Sequence, residues 1–87
     1  METGILYEQA LETLAKCGIE VELRDLADDD ITIKSGLCEI GGRKTLIIDE
    51  RLDTRARLAV AAEALRTVDL EGVYVPPAVR EFLGLNE

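Results

Sequence analysis

Glu63 and Arg66, three residues apart, with Asp49, Glu50 and Asp53 shortly upstream, come nearest to a reactive set in this chain. A carboxylate beside a guanidinium near the ends of a strand and a helix can move a proton or hold a charged ligand. The same spacing at i and i+3 of a helix also makes an ordinary exposed ion pair. Two thiols, Cys17 and Cys38, are separated by 21 positions with no CxxC motif. They could form a redox pair or half of a metal site, but a structural zinc needs four ligands. Buried free thiols that act as small hydrophobes are the plainer reading, and the sequence leaves open whether the two pair. There is no histidine, which excludes Ser-His-Asp and Cys-His nucleophiles and every His-ligated metal.

Asp28, Asp30, Thr32 and Glu39 have the spacing of positions one, three, five and twelve of a calcium loop. The sixth position, which needs glycine for its sharp turn, is Ile33, and the flanks read as strands, so a solvated acidic loop is expected instead. Gly36, Gly41 and Gly42 do not form GxGxxG, and no GK[ST] follows them, so nucleotide binding has no motif here. No cofactor and no metal are expected.

These residues must be positioned by a small frame. Eighty-seven residues, 47% of them hydrophobic, make one small domain, residues 1–87, with little core to give up to a deep active site. Tyr7, Ala10, Leu11, Leu14 and Cys17 recur at three- and four-residue steps, which predicts a helix from Thr3, its N-cap, to a stop at Gly18, with Ile19 turned back onto Leu14. Ile19, Val21 and Leu23 then alternate with charged residues as a half-buried strand does. Asp25 to Asp30 reads as a charged loop, and Ile31 and Ile33 as a short strand. Leu37 to Ile40 and Lys44 to Asp49 form a hairpin around Gly41-Gly42-Arg43, and the unbroken Leu46-Ile47-Ile48 run predicts a strand that is central or covered on both faces. Asp53 should cap a second helix, Thr54 to Val68, burying Leu58, Ala61, Ala62, Leu65 and Val68; Arg55 and Arg57 in its first turn have the wrong sign for the helix dipole. Val73-Tyr74-Val75 reads as extended, and Pro76-Pro77 lead into a short helix, Ala78 to Leu83, ended by Gly84. The fold expected is α+β: a small mainly antiparallel sheet with a central hairpin, packed by two helices, plus a short C-terminal helix.

Gly36 to Val68 resembles the core of ImmA/IrrE-type zinc peptidases, in which a strand hairpin leads into a helix carrying HExxH. That resemblance implies a metal site on the second helix. Here the helix reads Ala62-Glu63-Ala64-Leu65-Arg66 at that place, so of the motif only the glutamate stands. Without imidazoles zinc has no first ligands, and Glu63 has no activated water to deprotonate. The chain as a whole, including GLCEIGGRKTLIID and DLEGVYVPPAVREFL, is similar to small uncharacterised bacterial proteins, which implies no activity.

Net charge is −8, with 18 acids against 10 bases and only three rings, Tyr7, Tyr74 and Phe82. Nucleic acid is therefore a poor partner. The start of the chain carries no basic leader, and nowhere is there a run near the ~20 apolar residues of a membrane span, so a cytoplasmic protein without membrane contact is expected. Residues 1–30 carry −7, residues 31–66 +2 and residues 67–87 −3, which would let an acidic end of one copy meet a basic strip of another, Arg43, Lys44, Arg51, Arg55 and Arg57. An ordinary solvated surface explains the same pattern.

The function read from these features is a non-catalytic protein-interaction or regulatory module, self-associating as a homodimer through Tyr74, Pro76, Pro77, Phe82 and Leu85, with an unidentified protein partner as a further option. The alternative is a small ligand-binding protein or enzyme, a degenerate relative of the zinc peptidases. It would use a helix-end pocket around Glu63, with Asp49 and Arg66.

Overall fold

The computed structural model describes residues 2–25 and 36–85. The acidic stretch beyond Asp25, the strand expected at Ile31 and Ile33, and the calcium-like positions Asp28, Asp30 and Thr32 lie outside the described residues. The described elements run α1 (Thr3–Lys16), β1 (Glu20–Arg24), β2 (Gly36–Ile40), β3 (Arg43–Asp49), α2 (Thr54–Thr67) and α3 (Pro77–Leu83). The fold is α+β, with a three-stranded sheet and a short C-terminal helix.

Local chemistry sets the element ends. Glu2, not Thr3, occupies the N-cap of α1, without a side-chain bond. At its other end Gly18 takes a φ of 78°, its N–H donates to the Ala15 carbonyl, and the Ile19 N–H reaches the Leu14 carbonyl at 3.0 Å. That pair of bonds is a Schellman ending, which only a residue tolerant of positive φ completes cheaply. Gly41 and Gly42, at φ 59° and 82°, make the two-residue turn between β2 and β3. Pro77 opens α3, and Gly84 closes it in the left-handed region.

The sheet order is β1-β3-β2, which puts the apolar strand in the centre. β2 and β3 pair antiparallel, as a tight turn requires, but β1 pairs with β3 in parallel, Val21 opposite Leu46 and Leu23 opposite Ile48. The sheet is thus mixed rather than purely antiparallel. An apolar-polar alternation specifies which face of β1 is buried, and it is the same for either strand direction. Leu46 and Ile48 point into one core with Ala10 and Leu14 of α1 and Leu58, Ala61, Ala62 and Leu65 of α2. Ile47 faces the other side of the sheet, in register between Glu22 and Gly36, and is also buried. Val75, Val79 and Leu83 bring the C-terminal segment onto the same core, while Val73 and Tyr74 join no strand.

The turn from β3 into α2 is held by three side chains. Asp53 accepts from the Ala56 N–H at 2.9 Å, the N-cap expected from sequence. Arg57 bends back, its Nε donating to the Leu52 carbonyl and its Nη2 to the Glu50 carbonyl at 2.7 Å. Its unfavourable place in the helix dipole is offset by these charge-assisted bonds. Asp49 fixes the entry, as described below. Asp53→Ala is expected to lower stability by about 1 kcal/mol, read as a lower urea midpoint at unchanged slope, and Asp53→Ser to restore most of it.

Candidate functional site

β2 lies at one edge of the sheet, so no strand flanks its outer side among the described residues. Between it and α2 runs a cleft of about 130 Å³ lined by Gly36, Leu37, Leu46, Val60, Glu63, Ala64 and Thr67. Its apolar floor is Leu46 from the central strand, and its walls are Leu37 of the edge strand and Val60 of the helix. Ala64 presents only a methyl group, which keeps the helix slim enough for the cleft to exist. Glu63 and Thr67, one helical turn apart, supply the polar side chains. The Thr67 hydroxyl donates to the Ala64 carbonyl at 2.7 Å.

The helical ion pair expected between Glu63 and Arg66 is not formed. Arg66 extends instead towards α3 and reaches the Phe82 carbonyl at 3.5 Å. The Glu63 carboxylate has no hydrogen-bond or ion-pair partner among the described residues. Spacing alone misses this, because it cannot tell which of two nearby acceptors an arginine will choose.

Asp49 does not join that cleft. It ends β3 on the sheet face opposite Leu46 and Ile48, is buried, and accepts from the Arg51 guanidinium, whose Nε is shared between both oxygens at 3.1 Å and 3.2 Å and whose Nη2 donates at 2.7 Å, as well as from the Arg51 N–H at 3.0 Å. Arg51 also lies 3.7 Å from Asp25. Asp49 is thereby a staple of the strand-to-helix turn. Glu50 offers its carbonyl to Arg57, and Asp53 caps α2, so the acidic cluster read from sequence resolves into separate backbone supports.

Much of the basic strip is likewise engaged within the chain. Arg43 pairs with Glu20 at 2.9 Å, Arg51 with Asp49 and Asp25, and Arg57 with backbone carbonyls. The thiols do not meet. Cys17 caps α1 beside the helical core, whereas Cys38 stands on the opposite sheet face and donates to the Thr45 carbonyl at 3.5 Å; both are free. Burial pushes the Cys17 thiol above its ordinary value, which keeps it protonated and weakly nucleophilic at neutral pH.

Ala62 and Arg66 occupy the places of the zinc ligands in the peptidase motif. The Ala62 side chain has no donor atom and is sealed in the core, and Arg66 carries only hydrogen-bond donors, so these residues do not fit a metal. Among the described residues no three His, Cys, Asp or Glu side chains gather where they could hold one. No described helix is long and apolar enough to cross a membrane.

The C-terminal segment presents a different surface. Tyr74 is 67% exposed, Phe82 43% and Leu85 39%, while Val75, Val79 and Leu83 between them are buried. Pro76 is half-buried and Pro77 exposed. The Lys16 ammonium stands 5.2 Å from the centroid of the Tyr74 ring, tying this segment to the last turn of α1.

The architecture defines a small α+β domain with helices on one face of a mixed sheet. No family model matches the chain, and no curated protein and no solved structure is similar to it.

Proposed function

We propose that the protein is a non-catalytic interaction module of the cytoplasm that self-associates as a homodimer through its C-terminal segment. The observation that carries this reading is the exposure of Tyr74, Phe82 and Leu85 on a stretch anchored from beneath by Val75, Val79 and Leu83. Aromatic side chains presented on a rigid support are what interface centres are built from. Pro76 and Pro77 preset the backbone, so little ordering entropy is lost on docking. A second copy is the occupant favoured by composition: two of the three rings in the chain lie here, and one copy's patch offers the other the same apolar chemistry in a two-fold contact. Head-to-tail charge pairing contributes less, because Arg43, Arg51 and Arg57 are already engaged. Burying what remains exposed of Tyr74 and Phe82 adds roughly 1–2 kcal/mol each, which with Leu85 and ordinary rim contacts supports micromolar association.

A dilution series followed by amide NMR tests the placement. The amides of Tyr74, Val75, Phe82 and Leu85 are expected to shift as the protein is diluted, with those of β1 stationary. Shifts confined to β1 or to the β2 edge would move the interface to a sheet edge and overturn the assignment.

A further inference from the structure

Glu63 is an exposed carboxylate with no partner among the described residues, at the wall of a cleft whose other side chains are mostly hydrocarbon, and that combination selects a ligand. As a carboxylate it can only accept hydrogen bonds. Thr67, one turn further along α2, has committed its hydroxyl proton to the Ala64 carbonyl, so towards the cleft it too offers lone pairs. The remaining side chains of the lining, Leu37, Leu46, Val60 and the Ala64 methyl, are hydrocarbon. Acceptors at one end and apolar walls beside them complement a group that only donates and that carries a short aliphatic chain. An ammonium, compact and with three donors, suits acceptors spaced at i and i+4. A planar guanidinium is better matched by a coplanar pair. The cleft volume of about 130 Å³ admits such a group and little more.

We propose that this cleft binds a primary alkylammonium group, its nitrogen on Glu63 and Thr67 and its chain against Leu37 and Val60. The group can belong to a small free amine or to a lysine side chain. The cleft shares no residue with the C-terminal face, so this proposal stands or falls independently of self-association.

The test is titration of the labelled protein with n-butylammonium, followed by amide NMR, with n-butanol as the uncharged counterpart. Saturable shifts at Gly36, Leu37, Ala64 and Thr67 are expected, with dissociation in the millimolar range typical of so small a ligand. Glu63→Gln should weaken binding roughly tenfold, the loss of a bond to a charged group, while Glu8→Gln on α1 should leave it unchanged. That control matters because a chain of net charge −8 attracts cations everywhere. A parallel titration with Nα-acetyl-lysine methylamide separates the sources: tighter binding than n-butylammonium assigns the site to a lysine side chain, weaker binding to a free amine. Equal binding of butanol, an unchanged response in Glu63→Gln, or shifts spread over the acidic surface without saturation would each overturn the proposal.

Discussion

Ile48→Ala is expected to lower the free energy of unfolding by about 3–4 kcal/mol, as large an effect as any among the described residues. Ile48 sits fully buried on the central strand, opposite Leu23, and faces the layer formed by α1 and α2. Truncation removes the transfer energy of its methyl and methylene groups. It also leaves a void, because a strand bonded on both sides cannot collapse into it. At ~0.05–0.15 kcal/mol per residue a domain of this length has only about 4–13 kcal/mol in total, so the variant gives up at least about a quarter of it. Urea denaturation followed by circular dichroism measures the loss, and Ile48→Val should cost only about 1 kcal/mol. A loss below 1 kcal/mol for the alanine variant would mean that β3 is not the centre of the core.

Asp49→Ala should be the next most damaging change, at about 2 kcal/mol. Its carboxylate is buried and accepts the Arg51 backbone N–H together with a two-pronged guanidinium contact. Bonds to a charged group of this kind contribute more than neutral ones. Arg51 is itself 58% exposed, and when Asp49 is lost it keeps Asp25 beside it and gains water, which keeps the effect below that of a fully buried pair. Asp49→Asn keeps an acceptor for the Arg51 N–H but gives up the charge, and should lose about half as much. Chemical denaturation of both variants separates the contributions. The n-butylammonium response of the cleft should be the same in Asp49→Asn as in the parent chain, since Asp49 lies on the other face of the sheet.

Much of the frame is legible in the sequence because local chemistry fixes it. Gly18 closes α1, Gly41-Gly42 turn the hairpin, Asp53 starts α2, and Pro77 and Gly84 bracket α3, each through a backbone dihedral or a single bond that a residue type dictates. The unbroken Leu46-Ile47-Ile48 run marks the central strand, since every side of it is buried. The parallel pairing of β1 with β3 is not legible, because strand direction is decided by how the chain travels between distant elements. The candidate site divides in the same way. Glu63 stands out by residue type and position, but its isolation depends on Arg66 turning to the Phe82 carbonyl, a contact with a helix sixteen residues away. Asp49 looks like a chemical group in sequence and is a structural one in three dimensions. Its partner, two residues along, could have pointed to solvent.

Light scattering over a concentration series tests the central claim most directly, because it reads mass without assuming where the contact lies. The account predicts a mass near twice 9.6 kDa at high micromolar concentration, falling towards 9.6 kDa on dilution. Phe82→Asp is predicted to stay at the monomer mass while keeping the circular dichroism spectrum of the parent chain, since the exposed ring contributes little to the core. A mass fixed at 9.6 kDa across the whole series would contradict self-association. A dimer that persists in Phe82→Asp would contradict its placement on the C-terminal segment.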